Sequence, residues 1–119
     1  MSKSTRYALV VEDDDMQRQL ISTILEEAGF SVLQSDSAET AMFVLLEVGQ
    51  DLSLMVADVR LNGDMPGSQL ATLASQLYSN IKVIVTSASD WSVLPEGAVF
   101  LRKPWKPLDL MREARAVGS

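Results

Sequence analysis

The sequence predicts an α/β fold in which a parallel sheet is covered by helices on both faces. Short apolar runs rich in Val and Ile alternate with stretches of helical spacing, and the runs lack the polar alternation of a half-exposed strand. Each run also stops abruptly on a polar or charged residue. With 119 residues, 47% of them hydrophobic, the chain buries roughly two-thirds of the surface it exposes when unfolded, enough for a core without disulfide or metal staples. Residues 1–119 read as a single domain with no effector domain, and no repeat, linker or low-complexity tract interrupts it.

Tyr7 to Val11 (YALVV) is a strand covered on both faces, ending at Glu12-Asp13-Asp14-Asp15. From Met16 onward, Met16, Leu20, Ile24, Leu25 and Ala28 fall at helical spacing, and Gly29 supplies the stop. Phe30 to Leu33 is a second strand. Ser37 then caps a helix whose apolar positions include Ala41, Val44, Leu45 and Val48, before Gly49. Leu54 to Ala57 is a third strand, ending on Asp58, and a loop rich in Gly, Pro, Asn and Asp (62–67) leads to a helix carrying Leu70, Leu73, Ala74 and Leu77. Lys82 to Val85 is strand four, ending on Thr86, and Val99 to Leu101 is strand five. Pro107 suits the first position of a last helix, Leu108 to Val117. The stretch from Ser87 to Gly97 holds Pro95 and Gly97 and has poor periodicity, so any helix there is one or two turns.

Composition narrows the chemistry. There is no Cys and no His, which removes thiol nucleophiles, Cys/His zinc sites, imidazole bases and a phosphohistidine on this chain. Lys and Arg number 10 against 16 Asp and Glu, a formal charge of −6. With a pI near 4.5, the chain is ill suited to direct nucleic-acid binding, which depends on Lys and Arg neutralising phosphates. Hard cations and basic partner surfaces fit better. No apolar run approaches the roughly 20 residues of a membrane span, and Met1 to Arg6 lacks the apolar stretch of a signal peptide. The expected compartment is the cytoplasm, without membrane insertion.

Ligands of an open α/β sheet bind outside the carboxyl ends of its strands. The residues there are Glu12 and Asp13, Asp58, Thr86 and Lys103, with intervals of 45, 28 and 17 residues from Asp13 onward. Two carboxylates about 4 Å apart repel by about 4 kcal/mol at an effective dielectric near 20, so three in one cleft need a cation or a proton. Carboxylate oxygens with water and a backbone carbonyl are the ligand set of Mg²⁺. The acidic run also has a plainer reading, negative charge at a helix N-terminus with Asp14 as the cap. Asp58 is a candidate nucleophile, since carboxylates form acyl phosphates, or else a strand-end cap. Lys103 precedes Pro104, where a cis peptide can fix a side chain's aim. It can pair with Asp58 or with a phosphoryl oxygen, and Thr86 can donate its hydroxyl to the same group.

Together, ALVVEDD at 8–14, LMVADVRL at 54–61 with MPG at 65–67, VIVTSAS at 83–89 and FLRKPW at 100–105 resemble the receiver domain of bacterial two-component response regulators. The resemblance covers essentially the whole chain. It implies a flavodoxin-like (βα)5 three-layer sandwich with a five-stranded parallel sheet in order 2-1-3-4-5. It further implies that Asp58 is the phospho-acceptor and that Glu12 and Asp13 are the acidic metal pair, Asp13 binding directly and Glu12 through water. Arg60 would bind the metal by its backbone carbonyl, Lys103 would bind phosphate, and Thr86 with Phe100 would form the switch. Ser87, being small, leaves access to the phosphate. The implied cofactor is Mg²⁺, with Mn²⁺ as a substitute. The implied partners are a sensor histidine kinase or histidine phosphotransfer protein and a downstream protein target.

Two features depart from the family pattern. The loop LNGDMPG is longer than the usual LPGMDG-like turn, and the interval from Thr86 to Lys103 is several residues shorter, so the helix between strands four and five is expected to be shortened or absent. The leading expectation is a receiver that catalyses its own aspartyl phosphorylation and slow autodephosphorylation, in a phosphorelay. One alternative is a degenerate receiver that is never phosphorylated and binds proteins constitutively; binding alone would not require the full set of acids, hydroxyl and lysine. A phosphohydrolase with an aspartyl nucleophile ranks last, because Asp58-Val59-Arg60 lacks the second acid of an Asp-x-Asp motif.

Overall fold

The computed structural model describes residues 5–61, 63–89 and 94–118. Its strands are β1 (Arg6–Val11), β2 (Phe30–Ser35), β3 (Leu52–Asp58), β4 (Lys82–Ser87) and β5 (Val99–Arg102). They form one parallel sheet in the order β2-β1-β3-β4-β5. The helices are α1 (Asp15–Glu27), α2 (Ala38–Val48), α3 (Gly67–Leu77) and α4 (Pro107–Arg115), and a short 3-10 turn, Gly49–Asp51, leads into β3. The fold class and strand order agree with the sequence expectation. No helix lies between β4 and β5 among the described residues, in line with the expected shortening; residues 90–93 of that stretch, and Asn62 of the loop after β3, lie outside the described residues.

Strand periodicity feeds two cores. Leu9, Val11, Met55, Val83 and Val85 point to one face and pack with Ala41 and Leu45 of α2 and Leu70 and Ala74 of α3. The alternate residues Ala8, Val10, Leu54, Val56 and Ile84 meet Ile21 and Leu25 of α1 and Leu110 and Ala114 of α4 on the other face. Burying each Val, Leu or Ile contributes roughly 1.5–3 kcal/mol. The unalternating runs in the sequence are thus strands with a core on each side.

Local signals set the helix ends. The Asp14 carboxylate accepts the Gln17 N–H at 2.8 Å, and the Ser37 hydroxyl accepts the Thr40 N–H at 3.1 Å, satisfying orphan donors of α1 and α2. Gly29 comes just after α1 at φ 99°, a left-handed conformation that suits glycine. One expectation is corrected. Met16 heads the predicted apolar stripe of α1 but is 84% exposed, and Leu20 is also exposed; the buried stripe is Ile21, Ile24 and Leu25. Spacing marks a face, and the approach of the sheet decides how far along the helix that face is covered. Among the described residues no helix is long and apolar enough to cross a membrane.

Candidate functional site

Because all five strands run the same way, their last residues gather at one edge of the sheet. Hydrogen bonds of the ladder continue past the strand ends and fix the first residues of the loops: Glu12 N–H donates to Ser35 O at 3.1 Å, Val59 N–H to Thr86 O at 2.9 Å, and Lys103 N–H to Ser87 O at 2.7 Å. The Lys103–Pro104 peptide is cis. Glu12, Asp58 and Thr86 are 1%, 8% and 1% exposed.

The structure brings Lys103, Asp58 and Glu12 together. The Lys103 ammonium donates to Asp58 Oδ2 at 2.6 Å and stands 3.5 Å from Glu12 Oε1. The other Asp58 oxygen, Oδ1, accepts the Arg60 N–H at 3.0 Å. Thr86 lies directly across from Asp58 in the β3–β4 register, and its buried hydroxyl has no hydrogen-bond partner among the described residues. Asp13 is half-buried beside Glu12, with which it interacts. Phe100 is half-buried on β5, opposite Val85. Asp14 and Asp15 belong to the start of α1, as the plainer reading of the acidic run expects: Asp14 is the cap, and Asp15 pairs with Arg18.

Charge dominates this pocket. Burial pushes the Glu12 carboxyl up from an ordinary 4.5 to about 7; the Asp13 side chain and the Asp58 charge add to the shift, while the Asp14 N–H and Lys103 oppose it. Burial alone would lower Lys103, but its hydrogen bond to Asp58 and the charges of Asp58 and Glu12 outweigh that and hold its pKa above the ordinary 10.5. Among the described residues, no three acidic side chains form a ready-made metal cage. The set instead suits a cation that keeps several waters and takes few protein ligands. Glu12 Oε1 is a buried oxygen that stands 3.5 Å from the Lys103 ammonium and, among the described residues, makes no well-formed hydrogen bond, which suits a ligand position.

Two residues that strand-end reasoning missed hold the flanking loops. Arg18 of α1 donates through Nη1 to the Glu12 carbonyl at 2.8 Å. Glu39 of α2 accepts the backbone N–H groups of Asp64 and Met65. Nothing in the local sequence pattern marks either, because both act on backbone brought near only by the fold.

The family described as the response regulator receiver domain matches residues 8–115 of this chain. The transcriptional regulatory protein AruR of Pseudomonas aeruginosa is 32% identical over 90% of this chain and 47% of its own length. The two-component response regulator-like protein PRR37 of Oryza sativa is 29% identical over 92% of this chain, but the match spans only 16% of that protein. This chain therefore corresponds to half or less of these curated relatives. Among solved structures, the receiver domain of the hybrid histidine kinase CckA superposes with a TM-score of 0.79 at 26% identity, covering 92% of this chain and 95% of that one. The signal receiver domain of an HD domain-containing protein from Pseudomonas fluorescens reaches a TM-score of 0.81 at 18% identity, covering 97% and 90% of the two chains, and is similar in fold.

Proposed function

The chain belongs to the response regulator receiver domain family, and from that premise we propose that Asp58 accepts a phosphoryl group from a sensor histidine kinase or a histidine phosphotransfer protein. The state of the Asp58 carboxylate is the observation that carries this reading. It is nearly buried, with one oxygen held by a backbone N–H and the other by an ammonium. Such a grip orients the carboxylate as a nucleophile before the donor arrives.

The donor's N–P bond breaks as an O–P bond to Asp58 forms, and the bond pair stays on the donor nitrogen. Two anions must meet for this to happen. Lys103 is placed to follow the charge from the Asp58 carboxylate onto the equatorial phosphoryl oxygens. A hard divalent cation, Mg²⁺ or Mn²⁺, would be held by Asp13, Asp58, the Arg60 carbonyl and, through water, Glu12, and would supply further neutralisation of that charge. Thr86, whose hydroxyl lacks a partner, gains an acceptor once the phosphoryl group is present. Its inward movement makes room for Phe100 and biases the surface around β4 and β5 that a downstream protein target reads. The acyl phosphate is later hydrolysed slowly by water. This reading sets the chain in the cytoplasm, in a phosphorelay.

Incubation with acetyl phosphate and Mg²⁺, followed by intact mass, tests it. One phosphoryl group is added; it is labile to hydroxylamine and is absent in D58N or with EDTA. Unchanged mass with several donors would replace this reading with that of a constitutive, unphosphorylated binding module.

A further inference from the structure

Besides the ladder bond from Val59 N–H to Thr86 O, the backbone after Asp58 is held at three points, among the described residues, on its way into α3. The Arg60 N–H donates to Asp58 Oδ1 at 3.0 Å, and the Gly67 N–H donates to Val59 O at 2.9 Å. The third hold comes from another element. Glu39, in the first turn of α2, uses one oxygen, Oε2, to accept both the Asp64 and the Met65 N–H, each at 2.9 Å. Gly63 stands at φ 106°, and a Cβ there would lie 2.8 Å from Glu39 Oε1. A side chain at Gly63 is strained by that φ and must push aside the end of the Glu39 side chain.

We infer that Glu39 is a positioning residue for phosphoryl transfer, clamping the Gly63–Met65 segment to α2 and so restraining the loop that carries Arg60, whose carbonyl is the proposed metal ligand. The inference rests on the reading of Asp58 as the phospho-acceptor. Its physical basis is entropic and geometric. This loop is longer than the family's usual turn, and a longer loop samples more conformations unless it is tied. A carbonyl that wanders spends less time where a cation can use it, and misplacement by an ångström in a ligand set is costly. Glu39 is suited to the task because a carboxylate is a stronger acceptor than a neutral group. The N–H groups of Glu39 itself, Met65 and Asp64 hold its carboxyl below the ordinary value, so it stays anionic at neutral pH.

Three variants test the clamp: E39A, E39Q and G63A. Mg²⁺ is titrated calorimetrically into metal-free protein, amide exchange of residues 64 and 65 is measured by NMR without metal, and phosphorylation from acetyl phosphate is timed. In E39A, Mg²⁺ affinity falls about tenfold, phosphorylation slows in step, and both amides exchange faster. E39Q keeps an acceptor at the same place and recovers most of the affinity. G63A strains the loop at a left-handed φ and crowds the Glu39 carboxylate without removing it, and reproduces the loss, so a failure of E39A to fold does not remove the test. A lower melting temperature in E39A and G63A with wild-type Mg²⁺ affinity would reduce Glu39 to a structural tether and overturn the inference. Wild-type protein that binds no Mg²⁺ and takes no phosphoryl group would overturn the reading of the site itself, and the inference with it.

Discussion

Lys103 faces two carboxylates that are also proposed to serve a cation. Its ammonium lies 2.6 Å from Asp58 Oδ2 and 3.5 Å from Glu12 Oε1, so it offsets their negative charge and would at the same time repel a divalent ion brought to them. Removing it has opposite effects on the two properties. In K103A, Mg²⁺ binds more tightly, because a competing positive charge is gone. Phosphorylation from acetyl phosphate nevertheless slows on the order of 100-fold, because a donor aimed at the charge that develops during transfer is lost. Mg²⁺ titration and timed intact-mass spectra on one preparation check both signs. Weakened Mg²⁺ binding in K103A would mean that the lysine serves mainly to order the acids.

The helix α1 separates the roles of neighbouring acids. Asp14 caps it through its side chain while its backbone N–H donates to Glu12 Oε2 at 3.1 Å. D14A therefore removes the cap but keeps the bond that orients Glu12. It costs about 1 kcal/mol, a fall of about 4 °C in melting temperature, and leaves intact the proposed addition of one phosphoryl group from acetyl phosphate; calorimetry and the intact-mass increment separate the two. The cap, the Ser37 cap of α2 and the glycine after α1 were all legible in the sequence, since each depends on residues within one turn. So were the strands, although β3 begins at Leu52 and not Leu54, because the half-buried Ser53 interrupts the apolar run without interrupting the ladder. That Glu12, Asp58, Thr86 and Lys103 meet was legible for a related reason: a parallel sheet places strand-end residues at one edge. Glu39 and Arg18 were not, because they bind backbone of separate segments, Glu39 reaching 25 residues along the chain to Asp64, and neither a repeat nor a motif records such a contact.

The pocket also couples fold stability to pH and, on the proposed reading, to a metal. Glu12 titrates near 7 in the folded protein and near an ordinary carboxyl value of 4.5 when unfolded. Below 4.5 both states hold the proton and the residue contributes nothing. Between 4.5 and about 7 the unfolded chain releases the proton and the folded chain keeps it, so stability falls as pH rises; above 7 the full penalty is present. The penalty is at most about 3 kcal/mol, less whatever solvent screening removes. Lys103 acts in a separate window, stabilising the fold at neutral pH and losing that contribution only as pH rises from its ordinary 10.5 through its raised folded value. Urea midpoints in EDTA should therefore decline from pH 4.5 to 7 in the wild type and stay flatter in E12Q, which has no proton to lose. On the proposed reading Mg²⁺ binds the folded, ionised pocket and offsets most of that decline: at 100 times its Kd it adds about 2.7 kcal/mol at pH 7, and much less at pH 4.5, where protonated acids bind it poorly. If the wild type and E12Q run parallel in EDTA, the burial of Glu12 is being relieved by water in the pocket. If Mg²⁺ stabilises equally at both pH values, the cation sits elsewhere on this acidic chain.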